Sequence, residues 1–283
     1  MPELPEVHTI STDLNGKISG HTIIDVAIFG GYTALPNNST LLKSVKGKKV
    51  TKVDRIAKNI RFHIEDKSYI LIHLAMTGQV LIRDTKHKQD KFVRMIFTME
   101  SSKNETYHVK FCDMRMFGKV VAMEEHQIEN FKLKYGPEPI SAATTPEVFY
   151  KQIKSKRTNI KNALLDQSIV SGLGNIYATD ALFKAGVNPY TQTQDINLET
   201  ATRLLETSRQ ELLEGITHRG STLDDKMYID AFGNEGSHQN HFKIYSKVHC
   251  PSCSSDVVFS KLNGRGTYHC PVCQPLGNQK RLL

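Results

Sequence analysis

A chain of 283 residues has room for two domains and a small appendage at the usual ~100–200 residues per domain. Its 39% hydrophobic and 23% charged residues are ordinary for a globular protein. No apolar run approaches the roughly 20 residues needed to span a membrane, and no signal peptide is visible. The 37 Lys and Arg against 29 Asp and Glu leave a formal charge of +8, which favours a polyanionic partner such as nucleic acid.

The chain opens Met1-Pro-Glu-Leu-Pro-Glu6. Removal of Met1, which a small Pro2 permits, would leave Pro2 as a terminal secondary amine able to attack a sugar C1′. A terminal amine titrates near 7.7–8.0, so roughly a tenth is unprotonated at pH 7, against well under a thousandth of a lysine. Glu3 and Glu6, at the start of a helix read over Val7 to Leu14, supply the acid that covalent amine catalysis needs nearby. The glycines at 16 and 20 are expected to end that helix.

From Thr22 to Met123 short β-branched and apolar runs alternate with turn residues, the pattern of a sandwich. Gly136-Pro-Glu-Pro139 punctuates the chain, and helical patterns follow from Thr145 to Thr217. Lys151, Lys154, Lys156, Arg157 and Lys161 form a basic block free of acids. Beyond it, two apolar helical stretches flank Gly172-Leu-Gly-Asn175, a glycine turn whose free backbone N–H groups suit a phosphate. The polar stretch Thr217–Tyr245 is long for a connection, and such loops are functional or disordered.

Cys250 and Cys253, then Cys270 and Cys273, have the C-x₂-C-x₁₆-C-x₂-C spacing of a tetrahedral zinc site. Four thiolates leave no open position for water, so one structural Zn²⁺ is expected. Between the pairs, Lys261-Leu-Asn-Gly-Arg-Gly-Thr267 is a glycine turn presenting Arg265. Cys112 stands alone, and the pattern fits a reducing cytoplasm better than a disulfide framework.

Six motifs in order give the chain a family resemblance. They are Pro2-Glu-Leu-Pro-Glu-Val7, His73-Leu-Ala-Met-Thr-Gly78, Asp113-Met-Arg-Met-Phe-Gly118, Gly136-Pro-Glu-Pro139, Gly172-Leu-Gly-Asn-Ile-Tyr-Ala178 and Gly264-Arg-Gly-Thr. In these the sequence resembles the bacterial formamidopyrimidine-DNA glycosylases, relatives of endonuclease VIII. The resemblance implies an α+β multidomain protein: an N-terminal β-sandwich with an N-terminal helix (1–135), a helix–two-turn–helix domain (136–228), and a lesion-capping loop with a C-terminal four-cysteine zinc-finger β-hairpin (229–283).

By the same resemblance the partner is damaged double-stranded DNA, bound by a monomer with no membrane role. Pro2 is the nucleophile, Glu3 the acid/base residue and Glu6 a supporting carboxylate. Lys58 is a strand-borne phosphate contact and proton donor for β-elimination, and Arg265 clamps a phosphate and serves δ-elimination. Lys91, Lys156, Lys161 and Asn175 take DNA phosphates. Met76, Arg115 and Phe117 fill the gap left by a flipped nucleotide, with Arg115 facing the orphaned base, and Ser221–Asn240 closes over the extruded base.

Four places depart from the family pattern, one of them the less typical Arg55-Ile-Ala-Lys-Asn-Ile60 context of Lys58. Ala75 stands where glycine is usual, Met114 replaces a proline and Met116 an arginine, and Lys91 replaces a phosphate-binding histidine. Ala75 is tolerable unless the backbone there needs a positive φ. The implied activity is bifunctional: excision of oxidised purines such as 8-oxoguanine and formamidopyrimidines, then β,δ-elimination at the abasic site. The same chemistry with oxidised pyrimidines preferred is the runner-up. A zinc-containing DNA-binding protein without catalysis would leave Pro2, Glu3, Lys58 and Arg265 unexplained.

Overall fold

The computed structural model describes residues 2–277; the expected removal of Met1 concerns a residue outside that range. The chain forms two compact units, one of Met1–Lys132 with His218–Gln239 and one of Leu133–Thr217 with Asn240–Leu283. Segment 218–239 therefore returns to the first unit, and the cysteine hairpin belongs to the second. The boundaries differ from the three segments read from the sequence, because the polar stretch after Thr217 packs on the N-terminal unit. Among the described residues no helix is long and apolar enough to cross a membrane.

In the first unit helix α1 spans Leu4–Ile18, longer at both ends than the sequence suggests. Glu3 caps it in extended conformation, its N–H bonded to the Glu6 carboxylate at 2.7 Å, and Pro5 fits the first turn, where no N–H is required. The helix runs through Gly16 and the chain turns at Gly20, with φ +84°. Val7, Ile10, Leu14 and Ile18 recur at helical spacing and are all buried, each contributing about 1.5–3 kcal/mol.

Strand β1 (Thr22–Ile28), helix α2 (Asn38–Val45), strands β2 (Lys48–Ile56), β3 (Asn59–Ile64), β4 (Ser68–His73), β5 (Gly78–Asp84), β6 (Val93–Glu100), β7 (Thr106–Asp113) and β8 (Lys119–Glu124), and helix α3 (Glu125–Lys132) follow. The eight strands form one antiparallel sheet in the order β5-β7-β6-β1-β2-β3-β4-β8. Only Thr22↔Lys49 and Ile23↔Lys48 join β1 to β2, and there the sheet folds over. Phe62 of β3 and Phe97 of β6 lie 6.2 Å apart at their ring centroids. Strands three steps apart in a flat sheet would be roughly 14 Å apart at ~4.8 Å per step. The two halves thus face each other as the expected sandwich, with one hydrophobic core shared by α1.

The second unit holds α4 (Pro146–Lys154), α5 (Ile160–Leu165), α6 (Asn175–Lys184), α7 (Leu198–Thr217) and a hairpin of β9 (Val258–Leu262) and β10 (Arg265–His269). Helix α7 packs on α4 and α6, and α6 on β10. Gly136 is required by close contact: a Cβ there would lie 2.2 Å from the carbonyl oxygen of Ile169, in the turn between α5 and α6. Asp180 of α6 is fully buried and accepts bonds from the N–H groups of Lys243, Ile244 and Tyr245, fixing the chain that leads to the hairpin.

Candidate active site

The N-terminal residues of the first unit are pre-set. Pro2 is buried immediately before α1, and Glu3 and Glu6 are each only 3% exposed. Both oxygens of Glu6 are occupied: Oε2 accepts from the Glu3 N–H at 2.7 Å and Oε1 from the Ser221 N–H at 2.8 Å. Glu6 therefore acts as a fastener between α1 and the returning segment. Gly220 is required beside it, since a Cβ there would meet Glu6 Cγ at 2.8 Å and its φ is +82°.

Lys58 lies on the two-residue turn Ala57-Lys58 between β2 and β3, not within a strand as expected. Ala57 has φ +50°, the positive value that primed hairpin turns need at their first central position. Lys58 is 8% exposed. Neighbouring His73 has its pKa lowered, first by burial and then by the charges of Lys58 and Lys119, so its imidazole is neutral at pH 7.

Met76, Arg115 and Phe117 come together in the first unit. The Arg115 guanidinium lies 4.7 Å from the Phe117 ring centroid, and its Nη1 is 3.4 Å from Met76 Sδ. Phe117 is 55% and Met76 45% exposed, an arrangement that costs free energy in water and so suits a contact surface. Ala75, next to Met76, has φ +51°: the methyl sits where a glycine would be unstrained, so the tolerance expected for it does not hold. Lys91 is exposed in the β5–β6 connection. Its neighbour Asp90 is bound by Lys110 at 2.9 Å and Arg83 at 3.1 Å, which hold the carboxyl below its ordinary pKa despite the opposing effect of burial.

In the second unit Arg265 is exposed at the first position of β10. Asn263 and Gly264 before it have φ +47° and +75°, the type I′ pattern that closes a two-residue hairpin. Asn175 opens α6 after Gly174, and the turn before it does not leave the free N–H groups expected of it: Gly172, with φ +97°, donates its N–H to Gln167 Oε1 at 3.0 Å. Lys156 is exposed and bonded to Asp166 at 2.7 Å. Lys161 departs from expectation. It is 1% exposed and its ammonium donates to the Gly266 carbonyl at 2.8 Å and the Thr267 hydroxyl at 2.9 Å. Placed there, it braces the hairpin beside Arg265 instead of presenting a charge to solvent.

The sulfurs of Cys250, Cys253, Cys270 and Cys273 all lie within 4.8 Å of one another. Cys250 and Cys273 are 3.7 Å apart and Cys253 and Cys270 3.5 Å, close to the ~3.8 Å edge of a tetrahedron with Zn–S of about 2.3 Å. The Cys273 N–H points at Cys270 Sγ from 3.4 Å, the kind of outer bond that orients a thiolate ligand. The four residues fit one structural zinc. Cys112 is different: burial pushes its thiol up to about 12, so it is inert.

Two supporting residues escaped the sequence reading. Gln274 is fully buried and joins the cysteine module to the α6–α7 connection, taking the Cys270 N–H at 3.0 Å and donating to the Val187 carbonyl at 2.8 Å. Asp230 orders the returning segment, accepting from the N–H groups of Phe232 and Asn234 and from Arg219. Gln274 is a lone glutamine with no local signal; the Asp230-x-Phe-x-Asn234 spacing is a turn signature that could have been found.

The family model described as Formamidopyrimidine-DNA glycosylase N-terminal domain matches residues 1–120, and that of the Formamidopyrimidine-DNA glycosylase H2TH domain matches residues 135–227. A formamidopyrimidine-DNA glycosylase of Wolbachia sp. subsp. Brugia malayi is 33% identical over 276 residues, 97% of this chain and 100% of its own. Among solved structures, wild-type Lactococcus lactis Fpg bound to DNA containing an N7-benzyl-Fapy-dG superposes with a TM-score of 0.88 at 28% identity, covering 97% of this chain and 100% of that one. The same Lactococcus lactis protein bound to oxidised-pyrimidine DNA gives a TM-score of 0.86 at 28% identity over the same coverage. The matches run through both compact units, and the chain belongs to the formamidopyrimidine-DNA glycosylase family.

Proposed function

We propose that this protein is a base-excision-repair DNA glycosylase and abasic-site lyase acting on oxidised purines in duplex DNA. The observation that carries the reading is the buried N-terminal group, in which Pro2 adjoins a helix start fixed by Glu6 through the Glu3 and Ser221 N–H groups. A reactive amine on a frayed terminus would lose the orientation that covalent catalysis needs; this one is held.

In this reading the freed Pro2 amine attacks C1′, the glycosidic bond breaks and the base leaves with its electron pair and a proton. Glu3 donates a proton to the sugar ring oxygen as the C1′–O4′ bond breaks, leaving a cationic iminium between the Pro2 nitrogen and C1′. The iminium acidifies C2′; loss of that proton expels the 3′ phosphate, and a second elimination expels the 5′ phosphate. Lys58 and Arg265 hold these phosphates and supply protons to the departing oxygens. Met76, Arg115 and Phe117 fill the space of the extruded nucleotide, Ser221–Asn240 covers the base, and Lys91, Lys156 and Asn175 take backbone phosphates. Lys161 acts by bracing Arg265, and the zinc site holds the hairpin. The protein works as a monomer in the cytoplasm at the nucleoid.

Borohydride reduction during reaction with an 8-oxoguanine duplex tests this. A covalent adduct is expected, absent in Pro2→Gly and in protein retaining Met1. Protein with a free Pro2 that never forms the adduct refutes the mechanism. A second reading, oxidised pyrimidines preferred, is favoured by the Lactococcus lactis complex with oxidised-pyrimidine DNA. Parallel excision assays on 8-oxoguanine and thymine glycol decide between them, and faster release of thymine glycol would establish the second.

A further inference from the structure

The three candidate void-filling side chains sit on separate loops, Met76 on the β4–β5 turn and Arg115 and Phe117 on the β7–β8 connection. A wedge made of two independent loops would be soft. One carboxylate joins them. Asp113, 1% exposed at the end of β7, accepts at Oδ1 from the Thr77 hydroxyl of the first loop and from the Arg115 N–H of the second at 3.2 Å. Its Oδ2 accepts from the Gly118 N–H at 2.7 Å, which closes the second loop just past Phe117. The Arg115 N–H also reaches Thr77 Oγ1 at 3.2 Å, so the link between the loops is double.

The main chain at Asp113 is pinned from the other side. Its carbonyl accepts from Arg94 Nε at 2.8 Å, and its N–H donates to the Phe92 carbonyl at 3.0 Å. Gly118 cannot be replaced without disturbing this arrangement, since a Cβ there would meet Asp113 Oδ2 at 3.0 Å and the Phe111 ring at 2.8 Å. Gly78, at the end of the first loop, is equally confined by the Leu74 carbonyl at 2.4 Å. Both loops are thus clamped at their ends and tied to each other through one buried group.

We infer that Asp113 and Thr77 are positioning residues that make Met76, Arg115 and Phe117 a single rigid wedge, so that the three enter duplex DNA together or not at all. The inference rests on the functional reading above. Neither residue has to touch DNA. An asparagine cannot substitute at 113: both carboxylate oxygens accept from backbone N–H groups, so an amide nitrogen in either place would face a donor. Thr77→Val removes only the hydroxyl, while Thr77→Ser keeps it.

The test compares borohydride adduct formation on an abasic site in a duplex with that on the same site in a single strand, where no partner stack needs filling. For Asp113→Asn and Thr77→Val the duplex-to-single-strand rate ratio should fall roughly tenfold, and Thr77→Ser should restore it. A parallel fall on both DNAs would show a merely structural role and overturn the inference, as would an unchanged ratio in Thr77→Val. If Asp113→Asn fails to fold, the Thr77 pair decides alone. If the wild-type protein forms no adduct on either DNA, the functional reading itself has failed, and this inference falls with it.

Discussion

Ala75 carries strain that a single substitution should release. Its φ of +51° places an L-residue in the left-handed region, at a cost of about 1–2 kcal/mol relative to glycine. Glycine returns about 0.4–1 kcal/mol of that by making the unfolded chain more flexible. The net expectation for Ala75→Gly is a gain of about 0.5–1 kcal/mol, or about 1–3 °C in Tm for a chain of this size. Ala57 provides the internal comparison, with nearly the same φ, +50°, but a methyl only 1% exposed. Burying that methyl contributes about 0.8 kcal/mol, which cancels the relief. Ala57→Gly should therefore leave Tm within about 1 °C. Differential scanning calorimetry of both variants makes the comparison. A lower Tm for Ala75→Gly, or equal gains at the two sites, would refute the assignment of strain.

Salt dependence separates the two cations of the zinc hairpin region. Arg265→Ala should weaken duplex binding and reduce the slope of log affinity against log salt by about 1, whereas Lys161→Met should lower Tm and affinity with the slope unchanged. Fluorescence anisotropy over a salt series reads both. Stripping the metal with a thiol reagent and a chromogenic chelator should release one zinc per chain and abolish duplex binding, as expected if the ion holds the hairpin. Glu211, fully buried, has its carboxyl pushed from 4.5 up to about 7, first by burial and also by Asp180, against the pull of Lys184. The folded state keeps this proton where the unfolded chain has lost it, so stability falls as pH rises from 4.5 through about 7 and then levels. Glu211→Gln should remove that fall, worth on the order of 3 kcal/mol, and urea titrations at about pH 5 and about pH 8 would detect it.

Local spacing made part of this legible in the sequence. The four cysteines and the Asn263-Gly264 turn encode the zinc hairpin within a few residues of each group, and the structure places Arg265 where that turn aims it. Chemistry alone made Pro2, Glu3 and Glu6 no more than a candidate amine beside carboxylates, and the roles proposed for them rest on the family resemblance, because an opening proline and two glutamates also suit a plain helix start. Lys161 shows where such reading stops. Its neighbours in sequence are basic and suggest a solvent-facing charge. Its actual partners lie 105 and 106 positions further along the chain, and only packing of α5 against the hairpin brings them under it.

The returning segment fails to read for a different physical reason. Polar, glycine-bearing stretches are ambiguous because the same short side chains solvate a disordered loop or satisfy the backbone of an ordered one. Here they do the second. Thr222 takes the Gly236 N–H at 2.9 Å and gives its hydroxyl proton to the Tyr228 carbonyl at 2.9 Å, while Asp230 takes two further N–H groups. Ile82 of β5 donates to the Ala231 carbonyl at 2.8 Å, and Glu6 takes the Ser221 N–H across 215 positions of chain. The anchor for this loop is thus a carboxylate in the opening residues. A change at Glu6 would loosen the N-terminal amine and the covering segment together, which links the geometry of the proposed nucleophile to that of the proposed base pocket.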